Sequence, residues 1–190
     1  MKSKKRSRTT AGKQRLDEPP VFFLDRTFGK TKLVERLRPN GFNIVTHYEE
    51  YGDEGHNVGD PAIIHDCGIK NRILLTGDKD LVHTYAREIR EAKIAVFITT
   101  DNMEGPEKWG PRIIAARSDI LRELKRRKKP FTAVISSQGR ISHVRVYEDR
   151  QWKVITIGKK NPPHVNRQKE AESSASEMQG SSGRPTEGQA

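Results

Sequence analysis

The chain has 190 residues, with 36 Lys and Arg against 25 Asp and Glu, a formal net charge of +11 and 33% hydrophobic content. That length fits one domain with tails, and so basic a balance favours a polyanionic partner, most often nucleic acid, over a merely solvated basic surface. A single cysteine, Cys67, excludes an intrachain disulfide and a zinc–thiolate site.

Residues 1–18 hold seven Lys or Arg before the first acid, Asp17, and are expected to form a disordered basic arm. No apolar stretch follows this arm, so it does not read as a secretory signal. No run approaches the ~18 apolar residues of a membrane span. The expectation is a soluble, cytoplasmic protein with no membrane partner.

The first strand, Val21 to Leu24, stops at Asp25. Leu33, Val34 and Leu37 then mark a short helix that ends near Pro39-Asn40-Gly41. Phe42 to Thr46 reads as a second strand, and Glu49 to Gly59 as an acidic loop. Asp60-Pro61 is expected to open a helix with Asp60 as its N-cap, burying Ile63, Ile64 and Cys67. Ile73 to Thr76 is a third strand that runs through Gly77 into Asp78, with Asp80 two residues on. Leu81, Val82, Tyr85, Ala86, Ile89 and Ala92 recur at helical spacing. A fourth strand, Ile94 to Ile98, leads to Asp101. A loop to Gly110, a long helix from Pro111 and a fifth strand, Phe131 to Ile135, follow. Ser137-Gln138-Gly139 marks a hairpin turn into two further strands, Ile141 to Tyr147 and Trp152 to Ile157.

This alternation predicts an α/β fold: a three-layer α/β/α parallel sheet over residues 19–136, with a small C-terminal β extension over 137–158. Residues 159–190, rich in Ser, Gly, Glu and Gln, read as a disordered tail.

Strand-end acids are the chemically informative feature. In an open parallel sheet the carboxyl ends of the strands face one crevice. Several carboxylates gathered there repel unless a cation neutralises them, and hard oxygen ligands suit Mg²⁺ or Mn²⁺. Each acid taken alone could equally be a helix cap. Gly29-Lys30-Thr31 is not a P-loop, because Leu24 stands where the loop needs glycine. The histidines lack HExxH spacing, and His47, His56 and His65 read as loop or surface residues.

Leu24-Asp25, Asp60-Pro61-Ala62-Ile63-Ile64 and Leu74-Leu75-Thr76-Gly77-Asp78-Lys79-Asp80-Leu81 together resemble the PIN-domain pattern. That pattern has an acid ending strand one, an acid heading a helix, and a T-x-D-x-D/N-hydrophobic turn after the next strand. The match covers roughly residues 20 to 136 and is similar in particular to the branch with VapC-type toxins and Mut7-C-like domains. The resemblance implies a Mg²⁺/Mn²⁺-dependent endoribonuclease acting on RNA, in a family whose members are often toxins paired with an antitoxin protein. A homodimer is compatible with it. By position, Asp25, Asp60, Asp78 and Asp80 match the family's catalytic metal acids. The glutamate expected between them stays open among Glu49, Glu50 and Glu54.

In that chemistry a divalent ion activates water for phosphodiester hydrolysis. Thr76 is a candidate second partner of an acid, or an ordinary strand residue. Arg26 and Lys79, beside the acids, and Arg122, Lys125 and Arg126 in a run of six cations over eight residues, are candidate substrate-binding groups. Helix-end cations that suit the dipole are the alternative for that run. A non-catalytic nucleic-acid-binding module is the competing function. Aromatic content of 6% argues against a surface specialised for stacking bases.

Overall fold

The computed structural model describes residues 19–99 and 105–157. The N-terminal arm, the tail and Asp101 lie outside the described residues. Seven strands run in chain order: β1 (Val21–Leu24), β2 (Asn43–Thr46), β3 (Ile73–Thr76), β4 (Ala95–Thr99), β5 (Phe131–Ile135), β6 (Ile141–Glu148) and β7 (Gln151–Thr156). Between them lie α1 (Lys32–Leu37), α2 (His47–Tyr51), α3 (Asp60–Ile69), α4 (Leu81–Thr84), α5 (Ala86–Ala92) and α6 (Pro106–Arg126).

The strands form one sheet in the order β2-β1-β3-β4-β5-β6-β7. The first five are parallel and the last two antiparallel. β3 and β4 are buried along their whole length, which their unbroken apolar runs require of strands covered on both faces. Successive side chains point to opposite faces. Phe22, Leu24, Leu75 and Phe97 join Leu33, Leu37, Ile113 and Ile120 in a core under α1 and α6. Phe23, Leu74, Val96 and Ile98 join Ile63, Ile64, Cys67 and Ile89 in a second core under α3 and α5. Helices therefore cover the sheet on both sides, and the α/β expectation holds.

Three local readings need correction. The segment from Glu49 to Gly59 is not a loop: α2 and a 3₁₀ turn over Asp53–Asn57 occupy it. Thr46 starts α2 with a capping box, its hydroxyl accepting from Glu49 N while Glu49 accepts from Thr46 N. α6 begins at Pro106 rather than Pro111, although Pro111 has no N–H to donate. Its first turns are anchored by Trp109, 5% exposed, edge-on to Phe28 at 5.0 Å. The helix expected over 81–92 is broken at Tyr85, whose φ of −113° and ψ of 32° leave helical geometry. The β extension expected over 137–158 is β6 and β7, which prolong the same sheet because β6 pairs with β5.

α3 and α5 touch closely at Gly68, where a Cβ would lie 2.8 Å from the Ala92 carbonyl oxygen and 3.0 Å from its Cβ. Backbone cannot yield as a side-chain end can. Gly68→Ala is expected to cost about 1–3 kcal/mol of overpacking, read as a lower urea midpoint at unchanged slope. A midpoint equal to the parent's would show that α5 moves freely.

Candidate active site

β1 lies between β2 and β3, so the chain leaves it in one direction and returns on the other side. Such a switch point is where an open α/β sheet places its crevice, at the carboxyl edge; here Thr27 and Gly77, in the turns after β1 and β3, are hydrogen-bonded to each other at that edge. Asp25 N donates to Leu75 O at 3.1 Å, which continues the ladder one residue past β1 and fixes Asp25 at that edge.

The Asp25 side chain is 3% exposed. Its Oδ2 accepts from Thr76 Oγ1 at 2.8 Å and from Thr27 Oγ1 at 3.1 Å. Its Oδ1 is buried and has no hydrogen-bond partner. A buried carboxylate oxygen left bare is costly, because burial removes water and nothing replaces it. Thr76 also accepts from Asp78 N at 3.0 Å, so its hydroxyl joins the two strand ends. Thr27 accepts from Gly77 N at 3.1 Å and does the same from the other side. Asp78 Oδ1 accepts from Asp80 N at 2.8 Å, closing a tight turn.

Asp60 does not cap α3. Gly59 is the N-cap, Asp60 is the first helical residue, and its carboxylate accepts from Arg26 Nη2 at 3.0 Å. Burial pushes the Asp60 carboxyl above the usual range; Arg26 opposes this, while the charges of Asp25 and Asp78 add to it. The charges of Asp25 and Asp78 thus both reach Asp60. Asp25 and Asp80 occupy N-cap positions without making a side-chain capping bond. Capping therefore accounts for none of Asp25, Asp60 and Asp80. Asp80 stands exposed at the head of α4.

Among the described residues, no three His, Cys, Asp or Glu side chains are gathered as a metal-ligand set. The Arg26 guanidinium, paired with Asp60, supplies the positive charge in this crevice. The glutamates left open by the sequence are committed elsewhere or exposed. Glu49 closes the capping box and binds Arg38, Glu50 binds Lys70 and Arg72, and Glu54 is exposed.

His47 is not a surface residue. It opens α2, is 8% exposed, and its Nε2 is buried without a partner. Burial holds its pKa below the ordinary imidazole value; Asp25 and Asp60 oppose that shift and Arg26 reinforces it. A Cβ on Gly55 would come within 2.8 Å of His47 Cε1, so the ring's space depends on that glycine. His47, Tyr48, Arg26 and Lys30 line a cleft of about 200 Å³. His56 and His65 are exposed as expected. Thr27 and His47 were not legible as site residues. Thr27 offered one weak signal, a hydroxyl two residues after a strand-end acid.

The candidate cations divide. Arg26 is at the crevice but already paired, and Lys79 is exposed beside Asp78. Arg122, Lys125 and Arg126 are not at the crevice. α6 descends from the carboxyl edge and ends just before β5 begins, at the sheet's opposite edge. No family model matches the chain, no curated protein matches it, and no solved structure matches it.

Proposed function

We propose that the crevice between β1 and β3 is the site of a metal-dependent, PIN-like ribonuclease. The observation that carries this reading is Asp25: a buried carboxylate, oriented by two hydroxyls, with its second oxygen unsatisfied. Its neighbours Asp60 and Asp78 supply further hard oxygen donors, the chemistry that Mg²⁺ or Mn²⁺ prefers. Bound there, such an ion would supply Lewis acidity and charge neutralisation to a scissile phosphate. Thr76 and Thr27 hold the Asp25 carboxylate in one orientation and tie it to the Gly77-Asp78 turn. Arg26 balances Asp60 until a cation or a phosphate competes for one of them.

A second reading, a nucleic-acid-binding module without catalysis, draws support from the Arg26–Asp60 pair, in which a guanidinium rather than a metal neutralises one of the acids. Incubation of mixed-sequence RNA with the protein separates the two. Cleavage is expected with Mg²⁺ or Mn²⁺, none with EDTA, and Asp78→Asn is expected to lose at least about 100-fold while melting close to the parent. Cleavage that survives EDTA, or a fully active Asp78→Asn, would sink the proposed site.

A further inference from the structure

The basic run at the end of α6 is too far from the acids to serve them. α6 has 21 residues and spans about 30 Å. Its first half lies by the β5–β6 turn, where a Cβ on Gly139 would touch Ala115 and Arg112. Its other end is pinned to the amino edge of the sheet, where Lys129 Nζ donates to Asn71 Oδ1 at 2.9 Å just before β3. The crevice and the run therefore occupy opposite edges.

Three of the six cations in Arg122–Lys129 have internal work. Arg122 pairs with Asp119 and Glu123, Arg127 pairs with Glu123, and Lys129 binds Asn71. Both acids at this end of α6 are buried and already paired. The other three, Lys125, Arg126 and Lys128, are exposed, and among the described residues none makes an ion pair. Lys93, also exposed, lies at the same edge of the sheet, because Phe131 N donates to Ile94 O at 3.3 Å. Dipole complementarity is satisfied by one or two cations in the last turn. It does not require a contiguous row without acids.

We propose that the amino edge of the sheet, centred on Lys125, Arg126 and Lys128, is a docking surface for the phosphate backbone of nucleic acid, separate from the acidic crevice. Such a surface neutralises phosphates without reading bases and needs no divalent ion. It holds whether or not the acids cleave.

The test is binding of a labelled single-stranded RNA of about 20 nucleotides in EDTA, by fluorescence anisotropy across a salt series. The triple variant Lys125→Glu, Arg126→Glu, Lys128→Glu is expected to bind about 100-fold more weakly at 0.1 M salt, with a log–log salt slope shallower by about 2. Lys32→Glu, an exposed cation at the opposite edge where α1 begins, is measured alongside and is expected to bind as the parent does. A circular dichroism melt matched to the parent confirms that the triple variant is folded. An unchanged affinity and slope in that variant would overturn the proposal. So would tight binding to anionic phospholipid vesicles with none to RNA. An equal loss in Lys32→Glu would show that overall charge rather than this edge sets the affinity, and would overturn it equally.

Discussion

Asp25→Asn is expected to abolish metal-dependent cleavage and, without metal, to raise the melting temperature. Both effects follow from one buried oxygen. In the parent, Oδ1 carries part of a negative charge in a place that water does not reach and no donor serves. Asparagine removes the charge at nearly constant volume, and its carbonyl can still accept from Thr76 and Thr27. The bare atom becomes a neutral amide nitrogen, which is cheaper to bury than an unpaired anion. A gain of about 1 kcal/mol, roughly 3–4 °C, is expected in the metal-free protein. With Mn²⁺ the order reverses. A ligand that binds only the folded parent stabilises it by about 2.7 kcal/mol at a hundred times its dissociation constant. The variant, lacking the anchoring charge, should gain little. Paired melts with and without Mn²⁺ read both predictions. An Asp25→Asn protein that melts lower than the parent in EDTA, and responds to Mn²⁺ equally, would make Asp25 a structural carboxylate.

Glu123→Ala is expected to destabilise the fold strongly. Glu123 is 1% exposed in side chain and binds both Arg127, 10% exposed, and Arg122. Truncation leaves the Arg127 guanidinium in a poorly hydrated position without its anion, while removing packed methylenes. Breaking one side of a buried pair costs about 3–5 kcal/mol. The double change Glu123→Met, Arg127→Met should recover much of this, since apolar side chains of similar volume remove both charges together. Urea unfolding of the two variants distinguishes charge from packing. A loss below about 1 kcal/mol for Glu123→Ala would mean that Arg127 escapes to solvent without penalty.

The parallel core was readable because its strands are short apolar runs set between amphipathic helices, a local pattern. Ile73 to Thr76 and Phe131 to Ile135 were placed to the residue for this reason. Boundaries governed by distant contacts were not readable. Pro111 looks like a helix start until Trp109 is seen packed on Phe28, which makes the preceding turn worth forming. The glutamates between residues 49 and 54 looked equivalent in sequence. Their different partners, Arg38 for Glu49 and Lys70 with Arg72 for Glu50, come from other elements.

The same division runs through the site. Sequence alone established that Asp25 and Asp78 follow strands, and strand ends of one parallel sheet must share an edge, since parallel pairing aligns direction. It also established the charge of the α6 terminus. It could not say which edge that charge occupies, because helix length and the return path to β5 decide this, nor that Arg26 takes the Asp60 carboxylate that a cap would have used. Burial, too, belongs to the fold. Only in the folded chain do His47 Nε2 and Asp25 Oδ1 lose water without gaining a partner, and solvation is a property of the whole surface rather than of any local stretch of chain.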